Sequence, residues 1–283
     1  MTSTLLFSFS QGSLQDFLEC RRRFFLRYIK KVKWPAVQTE PVLESEKHLR
    51  QGAAFHRSIH QYLLRIPSNG MSFDPHNEEY QVWWQNFINF ATQLDGVSDP
   101  TARRFPEQSL VGTIAGQRLV AKYDLITIFP NNKVIIYDGK TSLHRSDRKW
   151  LANRMQTIIY PYLIQQSGMD LTLLQEIDPN DITLVYWFAS FPEQIEIFKY
   201  GEKEFKRDRK FLADLLKLIN RLVETEDEHN FPLTENEKNC AFCVYRSLCD
   251  RGIKAGLKSE VNEPEIADQE IVIDFDQITE LSL

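Results

Sequence analysis

The sequence predicts an α/β protein: a sheet with helices on its faces, a helical N-terminal region, and a cysteine-bearing segment near the C-terminus. Three observations carry this. Helical periodicity fills the chain up to Leu94, period-two alternation takes over between Ser109 and Asp138, and a helix, two more strands and a long amphipathic helix follow.

Taken in order, Ser13-Leu14-Gln15-Asp16 has the residues to cap a first helix, with Leu14, Phe17, Leu18, Phe25 and Tyr28 at near-helical spacing behind it. A second helix is expected over Glu44–Arg65 and a third over Glu78–Leu94, around Trp83, Trp84 and Phe87. Ser109–Ala115, Gln117–Phe129 and Lys133–Asp138 read as strands, separated by an Ala115-Gly116 turn and a Pro130-Asn131-Asn132 turn. Asp147–Ser167 returns to helical spacing and ends at Gly168. Thr183–Ser190 and Gln194–Tyr200 read as strands joined across Pro192, and Glu202–Glu224 as an amphipathic helix before the cysteine segment Asn239–Cys249.

The 283 residues are 42% hydrophobic and 26% charged, values of an ordinary globular chain. The longest apolar runs are far too short to span a bilayer, and the uncharged stretch Met1–Gln11 lacks the basic start of a signal peptide. The expected location is the cytoplasm. The net charge of −5 is unevenly spread: residues 258–283 carry eight acids and one Lys, leaving +2 for residues 1–257. The expectation is one domain over 1–257 and a flexible acidic tail over 258–283. Arg21, Arg22, Arg23, Arg27, Lys30, Lys31 and Lys33 form a basic stripe, which suits phosphate binding and equally a solvated helix face.

All four cysteines fall in two places. Cys240, Cys243 and Cys249 form C-x2-C-x5-C, and Cys20 lies 220 positions upstream, beside the basic stripe. A C-x2-C pair in a reducing compartment more naturally faces one metal centre than a disulfide. Four thiolates suit zinc or an iron–sulfur cluster, and the spacing does not choose between them. Either would clasp the two ends of the domain.

Val134-Ile135-Ile136-Tyr137 drives a buried strand that ends in Asp138-Gly139-Lys140, and a period of two puts Asp138 and Lys140 on the same face. Asp124 can lie beside Asp138 on the neighbouring strand. Two converging carboxylates repel unless a hard cation such as Mg²⁺ or Mn²⁺ lies between them, and Lys140 could then assist attack on a phosphodiester. Alone, D-x-K is more often a surface ion pair. Two further features join it: His56, one turn after the small Gly52, and Gln156 with Tyr160, four apart on one helix face.

The ordered set resembles the RecB-like branch of the PD-(D/E)XK nuclease superfamily in its iron–sulfur form, the form of the AddB recombination nuclease and the CRISPR-associated adaptation nuclease. The order runs Cys20, G-x-x-x-H at Gly52–His56, the Asp124 strand, D-x-K at Asp138–Lys140, Q-x-x-x-Y at Gln156–Tyr160, then Cys240, Cys243 and Cys249, over about residues 10–252. The resemblance implies a restriction-endonuclease-like mixed central sheet flanked by helices, a [4Fe–4S] cluster on the four cysteines, and Mg²⁺- or Mn²⁺-dependent DNA cleavage. It implies His56, Asp124, Asp138 and the Gly139 carbonyl as metal ligands, Lys140 as the catalytic lysine, and Gln156 and Tyr160 as supporting catalytic residues. Glu107 matches an upstream acidic position only loosely and is left out. Ala121 and Leu125 depart from the Gly and Arg that many members carry there, which puts a DNA contact in doubt and not the chemistry.

The implied activity is an exonuclease on single-stranded or end-bearing DNA, in repair, recombination or CRISPR adaptation. Within these residues no helicase segment accompanies the motifs, so the expected protein is a stand-alone module or a subunit of a helicase, recombination or adaptation complex. The alternative is a non-catalytic iron–sulfur DNA-binding or assembly subunit, against which the intact His56, Asp124, Asp138 and Lys140 argue. A zinc-stabilised interaction protein would account for the cysteines alone.

Overall fold

The computed structural model describes residues 7–34, 40–66, 77–93, 99–142, 144–167, 176–225 and 227–252, the side chains of 40–46 excepted. The expected helix end at Gly168 and the acidic tail lie outside them. After a short strand β1 (Ser8–Phe9), helix α1 (Gln11–Glu19) opens with a capping box: Ser10 Oγ accepts the Ser13 N–H at 3.2 Å, and Ser13 Oγ accepts the Ser10 N–H at 2.9 Å. The cap is therefore Ser10 and not the expected Ser13, whose hydroxyl is the reciprocal member of the box. Helix α2 (Arg21–Phe24) widens into a π-helical turn over Phe25–Ile29, where the Lys30 N–H reaches the Phe25 carbonyl at 2.9 Å. Helices α3 (Glu40–Leu63) and α4 (Glu78–Gln93) follow.

Strands β2 (Arg103–Ile114) and β3 (Gln117–Ile128) form a hairpin closed by Ala115 and Gly116, at φ 50° and 76°. Two left-handed residues are what a two-residue hairpin loop needs to match strand twist. β2 begins six residues before the expected Ser109. It is an edge strand, where Pro106 is tolerated, and that proline masked its start in the sequence. Then come β4 (Val134–Lys140), α5 (Arg148–Ala152), α6 (Met155–Ser167), β5 (Ile182–Phe188), β6 (Ile195–Lys199) and α7 (Glu202–Glu224).

The sheet has six strands and is mixed: β1 pairs β3 and β4 pairs β5 in parallel, while the β2–β3, β3–β4 and β5–β6 pairs are antiparallel. β1 and β4 pair with separate stretches of β3, at Arg118–Leu119 and at Leu125–Ile128, so Val120–Asp124 has no strand partner on that edge. The parallel β4–β5 pair requires a crossover, supplied by α5 and α6.

Helices α1, α6 and α7 cover one face, packing Leu163, Ile159 and Leu216 against Ile136, Leu184 and Tyr186. Helices α3 and α4 cover the other, with Phe55, Trp83 and Phe87 around Trp187, and Phe90 stacked on that indole at 4.8 Å. Burial of this kind contributes about 25 cal/mol per Å² of apolar surface and is the main force holding the three layers together.

The segment at Glu19–Phe25 meets the segment at Phe231–Asn239. The Arg22 N–H and Nε donate to the Pro232 and Phe231 carbonyls at 3.2 and 2.8 Å, Asn239 Nδ2 donates to the Glu19 carbonyl at 2.9 Å, and Phe25 stacks on Phe231 at 4.6 Å. No helix among the described residues is long and apolar enough to cross a membrane.

Candidate active site

The site forms where β3 and β4 part. Val134, Ile136 and Tyr137 are buried and carry Asp138, itself 3% exposed, to the end of β4. Lys140, two places on, returns to the same face, and its Nζ lies 2.8 Å from Asp138 Oδ2. The last β3–β4 pair is Leu125 with Tyr137, so the continued register sets Asp124 across from Asp138. There Asp124 Oδ2 accepts the Gly139 N–H at 2.8 Å. From the opposite layer, α3 brings His56 Nδ1 to 3.3 Å from the same Oδ2. A Cβ on Gly139 would lie 3.5 Å from His56 Cε1, which shows how closely the three elements converge.

Helix α6 contributes the remaining residues. Gln156 Oε1 accepts from Lys140 Nζ at 2.6 Å, while Gln156 Nε2 donates to Asp138 Oδ1 at 2.5 Å and to the Tyr160 hydroxyl at 3.0 Å. Tyr160 in turn donates to the Lys122 carbonyl at 2.5 Å. That carbonyl lies on the stretch of β3 edge without a strand partner, so the hydroxyl satisfies a backbone group that the sheet leaves over. The Tyr186 ring lies 5.4 Å from Lys140 Nζ. All seven residues expected from the sequence, His56, Asp124, Asp138, Gly139, Lys140, Gln156 and Tyr160, are thus in one place.

The carboxylates are balanced by the chain's own cations. Burial works to lower the His56 pKa, but Asp124 in contact, then Asp138 and Glu107, outweigh it and push the imidazole up to about 9. Burial likewise works to raise Asp124, and His56, the Gly139 N–H and Lys140 hold it below the usual carboxylate range. A protonated imidazole and an ammonium therefore neutralise the carboxylates.

Two carboxylates, an imidazole and a backbone carbonyl are a donor set that suits Mg²⁺ or Mn²⁺. In the structure His56, Asp124 and Asp138 contact other side chains or backbone N–H groups, and among the described residues no group of three or more His, Cys, Asp and Glu side chains is spaced to hold a metal ion. The chemistry of the set fits a divalent cation; filling it requires His56 to lose its proton and the Lys140–Asp138 pair to loosen.

Glu107 is the acidic residue whose place the sequence left unresolved. The β2–β3 pairs Pro106–Leu125 and Gln108–Tyr123 flank it, setting Glu107 opposite Asp124, and it has φ 52°. Tyr123 reaches α6 through its hydroxyl, on the Tyr160 carbonyl at 3.0 Å, while Ile126 pairs with Ile136 on that same face. Residues three apart cannot share a face of a regular strand, so the alternation breaks at Asp124. This distortion brings Asp124 to the boundary between the two helical layers. Glu107 itself is ion-paired with Lys122. A left-handed residue inside a β pattern leaves no mark in sequence periodicity.

The four cysteines lie where the α1–α2 segment meets the segment after α7, but among the described residues no three of them are spaced to hold a metal ion, so the expected four-thiolate centre is not formed in the structure. All are free and partly buried, and Cys20 faces the other three closely enough for its charge to act on each. Burial raises the Cys240, Cys243 and Cys249 thiols, the last to about 11. Arg22, Arg23, Arg246 and Arg251 pull the other way. The basic stripe is partly consumed here. Arg22 pairs with Glu228, Arg23 with Asp16 and Glu19, and Arg27 with Asp16, so three of its seven cations serve internal ion pairs.

A search of the curated proteins finds no match. Among solved structures, a crystal structure described as a "putative exonuclease" from Eubacterium rectale superposes with a TM-score of 0.50, at 10% identity, over 81% of this chain and 85% of that one. The crystal structure of SSO0001 gives a TM-score of 0.39 at 13% identity, over 88% of each chain. The first supports the restriction-endonuclease-like fold, a mixed sheet flanked by helices. A family model described as the PD-(D/E)XK nuclease superfamily matches residues 8–250, from β1 through the last cysteine. With that span covering both the sheet and the segment that closes it, this chain belongs to the PD-(D/E)XK nuclease superfamily.

Proposed function

We propose that the protein is a Mg²⁺- or Mn²⁺-dependent deoxyribonuclease of the RecB-like, AddB-like branch, an exonuclease on single-stranded or end-bearing DNA. The observation that supports it best is the Asp138–Lys140–Gln156 triangle, with Asp124 and His56 beside it on a separate strand and helix. His56, Asp124, Asp138 and the Gly139 carbonyl would hold the cation, which when bound supplies Lewis acidity at the scissile phosphodiester.

The chain's own residues do the rest. Lys140 keeps its protons at Nζ, where Gln156 Oε1 and Asp138 restrain it, and offers them to a phosphate oxygen as negative charge develops there. Gln156 holds Asp138 and Lys140 in register, because its amide accepts from one and donates to the other. His56 releases its proton from Nδ1 before it can act as a ligand.

A [4Fe–4S] cluster on Cys20, Cys240, Cys243 and Cys249 belongs to the same reading. Its support is the C-x2-C-x5-C spacing together with the nearness of Cys20 to the other three thiols in the fold, which would have to close up to share a cluster. Its role would be structural, closing the loop between the two segments. A helicase, recombination or CRISPR adaptation complex is the setting in which such a module would meet its DNA. The test is cleavage of end-labelled single- and double-stranded DNA with Mn²⁺, read beside the visible spectrum of anaerobically purified protein. Shortening from one end with a brown chromophore is the expected result; intact DNA at every metal concentration would reject the nuclease reading.

A further inference from the structure

Helix α1 meets α6 and the residue just before it through three side chains spaced four residues apart. Gln11 Nε2 donates to the Tyr160 hydroxyl at 3.4 Å, Gln15 Oε1 accepts the Met155 N–H at 3.0 Å, and Glu19 Oε1 holds Arg154 Nη1 at 2.8 Å. Spacing of four puts all three on one face of α1. Met155 is the first residue of α6, where the leading N–H groups have no intrahelical partner, so Gln15 supplies one that helix geometry leaves out. Glu19 is itself braced by Gln15 Nε2 at 2.9 Å and by Arg23. The far end of α1 is held by Asn239 on the Glu19 carbonyl.

The donors and acceptors of this network have one consistent assignment. Lys140 only donates, so Gln156 must turn Oε1 towards it and Nε2 towards Asp138 and Tyr160. The Lys122 carbonyl only accepts, so the single Tyr160 proton goes there. The hydroxyl's two lone pairs then take Gln156 Nε2 and Gln11 Nε2. Gln11 is 7% exposed and Tyr160 2%, so water has little room to replace a lost donor.

We propose that Gln11 is a positioning residue for Lys140, acting through Tyr160 and Gln156, with α1 as the strut that sets α6 against β4. This rests on the reading of Lys140 as the catalytic lysine. Glu at position 11 is isosteric but cannot donate. The Tyr160 proton would then turn towards it and abandon the buried Lys122 carbonyl, and the ring that presents its hydroxyl to Gln156 Nε2 would shift to relieve that loss.

The experiment uses the full-length protein with ¹³C,¹⁵N-labelled lysine, in wild type, Gln11→Glu, Gln11→Leu and a control, Phe17→Leu, which loosens α1 in the core away from the relay. The relay predicts that the Lys140 side-chain resonance moves in both Gln11 variants and stays put in Phe17→Leu, although all three melt at lower temperature. In Mn²⁺-dependent cleavage, kcat should fall about tenfold or more in the Gln11 variants with KM for DNA unchanged, the scale of a misplaced catalytic group. In a Tyr160→Phe background, Gln11→Leu should cost nothing further, whereas a merely structural role costs the same in both backgrounds. A Lys140 resonance unmoved in both Gln11 variants, or additive losses in the double variant, would overturn the proposal. Absence of cleavage by wild type would instead count against the nuclease reading alone, and the resonance still decides the relay.

Discussion

His56 on α3 and Asp124 on β3 meet at 3.3 Å across the boundary between the two helical layers, at the point where the alternation of β3 breaks. The contact joins a residue from one layer to a strand whose neighbour carries the Lys140–Gln156 pair into the other. Neither layer alone has the donor set for a hard cation.

The pH dependence of metal uptake follows from this pair. Asp124 and its acidic neighbours raise His56 to about 9, so it is protonated at neutral pH and must release that proton to become a ligand. Mn²⁺ affinity should rise about tenfold per pH unit between pH 7 and 9 and then level off. Calorimetry in two buffers of different ionisation enthalpy should show about one proton released per ion at pH 7. His56→Gln should abolish that release. A pH-independent affinity would remove His56 from the ligand set.

The same shift has a stability consequence in metal-free protein. A raised histidine pKa contributes stability that is complete below the unfolded value of about 6.5 and lost as pH rises through about 9. The lowered Asp124 works in the other direction: its contribution is present above the unfolded carboxylate value and lost as pH falls through its folded value. The pair is therefore worth most in mildly acid solution. Urea midpoints of wild type should decline from pH 6.5 to 9 relative to His56→Gln; parallel curves would contradict the pairing.

Gly112 tests how α6 is seated. A Cβ there would lie 2.7 Å from Leu163 Cδ2 and 3.0 Å from Ser167 Oγ, both on α6. Gly112→Val should cost about 1–3 kcal/mol through overpacking, and lower activity by displacing Gln156 and Tyr160 together. Urea unfolding measures the first effect. An unchanged midpoint would mean that α6 rides freely on β2.

Much of this arrangement was legible in the sequence, and the failures have physical reasons. Glu202–Glu224 matches α7 because its apolar stripe and charged face alternate without interruption over six turns. β4 and its D-x-K end were legible because a buried strand must be apolar until the point where it meets a site. The start of β2 was hidden by Pro106, which an edge strand tolerates, and the role of Glu107 by a left-handed backbone that no residue type announces. The basic stripe was legible only in part. Arg23 and Arg27 find Asp16 on the preceding helix, and only a folded chain shows which cations are already paired. Gln11 was invisible because its partner, Tyr160, lies 149 positions away.

Removal of a cysteine tests the clasp. Cys20→Ala should yield colourless protein without the roughly four irons per chain that wild type should carry when purified anaerobically. Its melting temperature should drop by less than a full unfolding transition, because the Arg22, Asn239 and Phe231 contacts still join the two segments. One zinc per wild-type chain with no visible absorbance would replace the cluster by a structural zinc site.

The central claim is tested most directly by Lys140→Ala, assayed with wild type on end-labelled single-stranded DNA in Mn²⁺ and titrated with Mn²⁺ in parallel. Lys140 is ion-paired with Asp138, donates to Gln156 and is not a ligand. Cleavage should therefore fall by at least about a hundredfold, the lower range for loss of a preorganised charge-stabilising group, while Mn²⁺ binding is retained or strengthened as Asp138 is freed. Wild-type cleavage by Lys140→Ala would place the chemistry elsewhere in the fold and contradict the account.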